Sequence, residues 1–155
     1  MDTTGMNASR RQMLQFSAVF GLMAAAGLIS PVQAADWNKA AFEGKSLDEV
    51  VKLLGGGATE KSAAVTLNAP DIAENGAVVP IGVSTTLKAE QIAILVEKNP
   101  NALAAQFSLS DGAEPFVSTR VKMGQSSNVH AVVKADGKWY VATREVKVTL
   151  GGCGG

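Results

Sequence analysis

The side chains that could do chemistry reduce to one thiol and one imidazole. Cys153 is the single cysteine of this 155-residue chain and stands in Gly151-Gly152-Cys153-Gly154-Gly155. Glycine has no Cβ and ranges over most of φ/ψ space, so this pentapeptide is expected to form a flexible arm. A structural cysteine ordinarily sits inside a strand or helix as a small apolar group. Here Cys153 is the third residue after Leu150, an extended reach of about 10 Å. The arrangement suits a sulfur atom that leaves its own domain and enters another protein's pocket. Gly151, Gly152, Gly154 and Gly155 keep that probe thin, because a Cβ at any of them would widen and stiffen it.

An ordinary thiol has a pKa near 8.5 and is about 3 % thiolate at neutral pH. The sequence around Cys153 offers little to change that, since the nearest cation, Lys147, lies upstream in a strand. An enzyme nucleophile normally has a base or a cation beside it. A carrier thiol does not need one, because the visiting enzyme supplies activation. His130 is the single histidine, in a strand with Lys134 on its own face and Val129, Ala131 and Val133 on the other. It reads as a surface or interface residue. One histidine and one distant cysteine are too few for a zinc site, and a Cys-His pair would need the arm to fold back. Carboxylates are scattered, with no acid/base couple. Gly55-Gly56-Gly57-Ala58-Thr59-Glu60-Lys61-Ser62 superficially has the look of a phosphate loop, but Glu60 stands where the second glycine belongs. It reads as a loop ending a helix. No catalytic residue, metal ligand or cofactor is assigned, and the chain is read as a carrier and not an enzyme.

Charge balances at 14 basic and 14 acidic residues, which offers no basic patch for nucleic acid. Residues 1–34 read as an export signal. Arg10-Arg11 precede Leu14, an apolar run extends from Phe16 to Ile29, and Val32-Gln33-Ala34 supplies a small residue for cleavage. The paired arginines resemble a twin-arginine signal. The apolar run is broken by Gly21 and Gly27 and is short for a membrane span. The expected destination is the periplasm, with no membrane attachment of the mature form. In that oxidising space an unpaired cysteine must stay free, pair between chains or carry an adduct.

Residues 35–150 must therefore position the arm. Ala35 to Leu54 reads as helical, with Ser46 as N-cap, Glu49 three residues later, and Gly55 to Gly57 as terminator. Strands are expected at Ala64–Leu67, Ala77–Val83, Gln91–Val96, Leu103–Leu109, Pro115–Met123, Val129–Ala135 and from Lys138 onward. Helix competes at Gln91–Val96. Pro80 pushes its strand toward an edge or a bulge. Asp111-Gly112 and Asp136-Gly137 read as hairpin turns. The last strand changes parity between Trp139, Val141, Thr143 and Val146, Val148, Leu150, which a bulge near Arg144 would reconcile. About seven short strands suggest an all-β, immunoglobulin-like sandwich with a short N-terminal helix, its final strand launching arm 151–155. Trp139, Tyr140 and the Val129–Val133 strand are candidate partner contacts.

Val148-Thr149-Leu150-Gly151-Gly152-Cys153-Gly154-Gly155 resembles the C-terminal signature of the SoxY family, sulfur carriers of the bacterial thiosulfate-oxidising Sox system. Pro70-Asp71-Ile72-Ala73-Glu74-Asn75-Gly76-Ala77-Val78-Val79-Pro80 is similar to another stretch of that family, as is Val117-Ser118-Thr119-Arg120-Val121-Lys122-Met123. The resemblance implies an immunoglobulin-like sandwich forming a heterodimer with SoxZ. It implies sulfur intermediates covalently held on Cys153, as an S-thiosulfonate and shorter or oxidised derivatives. It also implies transient docking to a c-type haem enzyme (SoxAX), a metal-dependent hydrolase (SoxB) and, in some organisms, a molybdenum–haem sulfane dehydrogenase (SoxCD).

Overall fold

The computed structural model describes residues 38–149. The export signal 1–34 and the arm 151–155 lie outside the described residues. Among the described residues, two short helices, α1 (Lys39–Glu43) and α2 (Leu47–Leu53), precede nine strands. These are β1 (Thr59–Lys61), β2 (Val65–Asn68), β3 (Ile72–Ala73), β4 (Val79–Thr85), β5 (Ala89–Val96), β6 (Leu103–Ser108), β7 (Phe116–Val121), β8 (Ser127–Ala135) and β9 (Lys138–Val148). The larger sheet runs β1-β9-β8-β5-β6, with β3 added on β9, and the smaller runs β2-β4-β7. This is the expected all-β sandwich. No described helix is long and apolar enough to cross a membrane.

Two apolar layers follow from strand alternation. Between the sheets, Val79, Ile81 and Val83 of β4 meet Ile92, Ile94 and Val96 of β5 and Val129, Ala131 and Val133 of β8. The opposite parity of the same strands is also buried, under the helices: Ala93, Leu95, Val132, Trp139 and Val141 pack on Ala41, Val50 and Val51. Gln91–Val96 is thus a strand, and its continuous apolar run reflects cover on both faces.

The expected single helix is two. Gly44 separates them with extended backbone, and a Cβ there would lie 2.7 Å from Val50 Cγ2. Its carbonyl instead accepts from Ala102 N at 3.0 Å, tying the helices to β6. Ser46 caps α2 by accepting from Glu49 N at 3.2 Å, while Glu49 reaches back to Lys45 N at 2.9 Å, one residue before the cap. Gly55, at φ +84°, ends α2 as read, its N–H bonding to Lys52 O while Gly56 N–H bonds to Val51 O.

The hairpin at Asp136-Gly137 holds. Both residues have positive φ (50° and 73°), as a type I′ turn demands, and Ala135 pairs with Lys138. The one at Asp111-Gly112 does not. β6 pairs with β5 in the larger sheet and β7 with β4 in the smaller, so this loop crosses between sheets. Gly112 has the expected positive φ of 82°, but a left-handed turn does not dictate which strands it joins. Pro80 sits in β4, whose Gly82–Thr85 half is central. β2 ends at Asn68 opposite Gly82, so Pro80 occupies the half that β2 leaves unpaired.

No bulge interrupts β9. Its register with β8 is continuous from Ala135↔Lys138 to Ser127↔Val146. The parity change has another cause: the strand is covered on different faces at its two ends. Trp139 and Val141 lie under the helices, whereas Val146 lies in the inter-sheet core. Trp139 is 4 % exposed, and Val129, Ala131, Val132 and Val133 are buried. Trp139 and the Val129–Val133 strand are therefore internal packing, not partner contacts, and Tyr140 is half-buried against the inter-sheet core.

Candidate functional site: the root of the terminal arm

The far end of β9 holds the chain firmly just before the glycine sequence begins. β8 pairs with it as far as Val146. Beyond that, β3 takes over on the other edge, in parallel, with Ile72 opposite Lys147 and Ala73 opposite Val148. Lys147 N donates to Asp71 O at 2.9 Å and Thr149 N to Ala73 O at 3.1 Å. Val148 N donates to Ser126 Oγ at 2.9 Å. Arg144 Nη2 and Nε reach Asp71 Oδ1 at 2.7 and 3.2 Å, bracing the entry to β3. Gly76 lies so close that a Cβ would come within 2.9 Å of Val148 Cγ1 and would also strike the Met123 carbonyl. That approach needs glycine, and the turn at Asn75-Gly76, closed by Val78 N bonding to Asn75 O, serves it.

The loops at this pole are tied together. Asn99 Nδ2 donates to Lys122 O at 2.7 Å, Gly124 N to Asn99 Oδ1 at 3.4 Å, and Lys98 N to Ser127 Oγ at 3.0 Å. The last described residue is thus held on a braced platform. Cys153 follows four residues on, at most about 14 Å away. Cys153, Gly151, Gly152, Gly154, Gly155, Arg10 and Arg11 all lie outside the described residues. Sequence reasoning missed β3, Ser126 and the Asp71–Arg144 pair. A two-residue strand has no periodicity to detect, and the Pro70–Pro80 stretch was the one signal available.

His130 is more enclosed than a surface residue. It is 9 % exposed, with Nδ1 2.9 Å from Thr143 Oγ1 and Nε2 3.7 Å from Glu97 Oε2. Asn128 Nδ2 holds Glu97 Oε2 at 2.9 Å. Burial disfavours the imidazolium and pulls the His130 pKa below its ordinary 6.5, while the Glu97 carboxylate opposes the shift without reversing it. A base so depressed binds fewer protons in the folded state than unfolded. Its contribution to stability is full above about 6.5 and is lost as pH falls through that value toward the folded pKa. Wild type should therefore lose melting temperature between about pH 7 and pH 5 more steeply than His130→Gln. Thermal unfolding of both proteins across that range checks this.

The family described as "Sulfur oxidation protein SoxY" matches residues 50–153, a span that ends on the lone cysteine. The chain belongs to the SoxY family. A solved sulfur carrier protein SoxY from Chlorobium limicola f thiosulfatophilum is 40 % identical, with a TM-score of 0.56, over 63 % of this chain and 91 % of that one. A superoxide reductase (neelaredoxin) from Ignicoccus hospitalis gives a TM-score of 0.50 at 18 % identity, covering 56 % of this chain and 80 % of that one. That likeness shows the sandwich alone. A search of curated proteins gives no match. The matched span takes in the Pro70–Pro80 stretch, whose β3 pairs with the end of β9.

Proposed function

We propose that this chain is a covalent sulfur carrier that catalyses nothing itself, with Cys153 holding thiosulfate-derived intermediates for the enzymes of the Sox system. The observation that carries the reading is the family match running through Cys153 on a chain whose preceding strand is pinned at its last residues. A fixed root and a glycine-flanked thiol together define a short tether. Such a tether raises the local concentration of its cargo at a docked partner into the mM range.

The chemistry balances without any group on the carrier besides the thiol. Cys153–SH and thiosulfate join through a new S–S bond, releasing one proton and two electrons to a haem oxidant of the SoxAX type. Water then cleaves the bond between the sulfane and sulfonate sulfurs on a SoxB-type hydrolase. Sulfate leaves, and a persulfide stays on Cys153. Where a SoxCD-type dehydrogenase is present, that sulfane sulfur is oxidised and hydrolysed in turn. The sulfonate gives each partner an anionic handle for charge-assisted hydrogen bonds. Export by the twin-arginine route through Arg10 and Arg11 would place the folded chain in the periplasm with SoxZ as its heterodimer partner.

A thiol-enzyme reading would pair Cys153 with His130. His130 stands opposite Thr143, six residues before Thr149 and thus about 20 Å back along the strand. An arm of about 14 Å would have to double back along β9 to approach it. The test is a thiosulfate-dependent reaction reconstituted with a soluble extract lacking this chain. Intact protein should restore sulfate formation, Cys153-alkylated protein should not, and the purified chain alone should turn over nothing. Restoration by alkylated protein would refute the carrier role.

The glycines give a second expectation. Gly152→Val should leave the melting temperature unchanged and lower the rate of carrier loading by about tenfold, roughly 1.4 kcal/mol of transition-state free energy. A kinetically silent variant would show that the thinness of the arm is not needed for entry into a partner's pocket.

A further inference from the structure

The root of the arm carries an apolar surface that the fold does not use. Among the described residues, four large apolar side chains are exposed: Leu53, Ile72, Val78 and Phe116. Leu53 ends α2, just before Gly56 packs on Trp139 at the far end of β9, whereas Phe116 starts β7 and lines a shallow groove with Pro70, Pro80 and Arg144. Ile72 and Val78 fall within one seven-residue segment beside the end of β9 and are 58 % and 51 % exposed. Ile72 stands opposite Lys147, and its neighbour Ala73 supplies the core contact of β3. Val78 N bonds to Asn75 O across the turn that carries Gly76, which touches Val148. The two side chains therefore stand near the point where the chain leaves the sandwich.

Chain length decides what must cover them. Thr149 is fixed by its bond to Ala73 O, and Cys153 can stand no farther off than about 14 Å. Any protein that draws the thiol into an active site must bring the rim of that site against the surface around Thr149. We propose that Ile72 and Val78 are the apolar contacts of that docking surface, meeting an apolar rim around the opening that admits Cys153. The inference rests on the carrier reading and adds to it the face that partner enzymes recognise. Lys147 and the Asp71–Arg144 pair beside Ile72 supply a polar border, the usual anatomy of an interface whose few apolar side chains carry most of the affinity.

The experiment uses the full chain in complex with its partner chain. The double variant Ile72→Asp/Val78→Asp, the milder Ile72→Ser/Val78→Ser, and Leu53→Asp at the end of α2 are compared with wild type. Thiosulfate-dependent loading of Cys153 by the extract is followed by mass at limiting carrier. Alkylation by a small maleimide, thermal unfolding and the size of the complex are measured alongside. Expected is at least a tenfold fall in kcat/KM for loading in the double variants, through KM, with alkylation rate, stability and assembly unchanged and Leu53→Asp behaving as wild type. Loading within twofold of wild type in the serine variant overturns the docking surface while leaving the carrier role intact. So does an equal loss in Leu53→Asp, or a loss of complex assembly in place of loading. Failure of wild type itself to load overturns the carrier reading and the docking surface with it.

Discussion

Replacing Cys153 by serine should abolish thiosulfate-dependent oxidation while leaving assembly with the partner chain unchanged. The substitution removes one polarisable atom and substitutes a hydroxyl that forms no S–S bond. Nothing in the described fold depends on it, because β9 is already anchored through Thr149 by β8, β3 and Ser126. Activity should fall to the level of a reaction without carrier, since no other cysteine can substitute. The opposing view makes Cys153 a staple between two chains. It requires the reverse, with assembly weakened and oxidation largely intact. Size-exclusion chromatography and sulfate formation on the same preparation separate the two.

Trp139→Ala should be the most damaging single change to the fold. Its side chain fills the space between the larger sheet and the helices, against Val50, Val51 and Ala41. The packing is close: a Cβ on Gly56 would come 2.5 Å from Trp139 Nε1 and 2.7 Å from Val51 Cγ1. Truncating a buried tryptophan removes its transfer free energy and leaves a cavity, a loss of about 3–5 kcal/mol. At a few degrees of melting temperature per kcal/mol, the expected drop is on the order of 10 °C or more. A Trp139 serving as a partner contact would instead give a stable fold with weakened assembly. Thermal unfolding of the variant distinguishes these.

Much of this fold could be read from local pattern. Asp136-Gly137 demanded a two-residue hairpin because both positions need positive φ, and they have it. Ser46 announced the start of α2 and Gly55 its end, each through a specific backbone bond. What failed was whatever depends on partners distant in sequence. Asp111-Gly112 announces a turn, yet a sandwich uses such a loop to change sheets as readily as to fold one sheet back on itself. The parity switch in β9 suggests a bulge as long as only one face of the strand is buried. Once α1 and α2 cover half of the other face, an unbroken strand satisfies both parities. Gly44 looked compatible with one long helix, and its role appears only with Val50 and Ala102 in place.

At the site, the chemistry was more visible than its support. A lone thiol among glycines can be noticed without knowing any fold. The platform under it could not, because β3 is two residues long and Ser126 acts through a single hydroxyl. His130 was placed on the correct face, but its enclosure comes from Thr143 and Glu97, on neighbouring strands or their ends.

The most direct measurement is the mass of the peptide bearing Cys153, taken from protein purified out of cells actively oxidising thiosulfate. A shift on Cys153 matching a thiosulfonate or a persulfide, lost on reduction, is the predicted result. Repeated preparations showing solely an unmodified thiol, or a simple disulfide to another chain, would contradict the account.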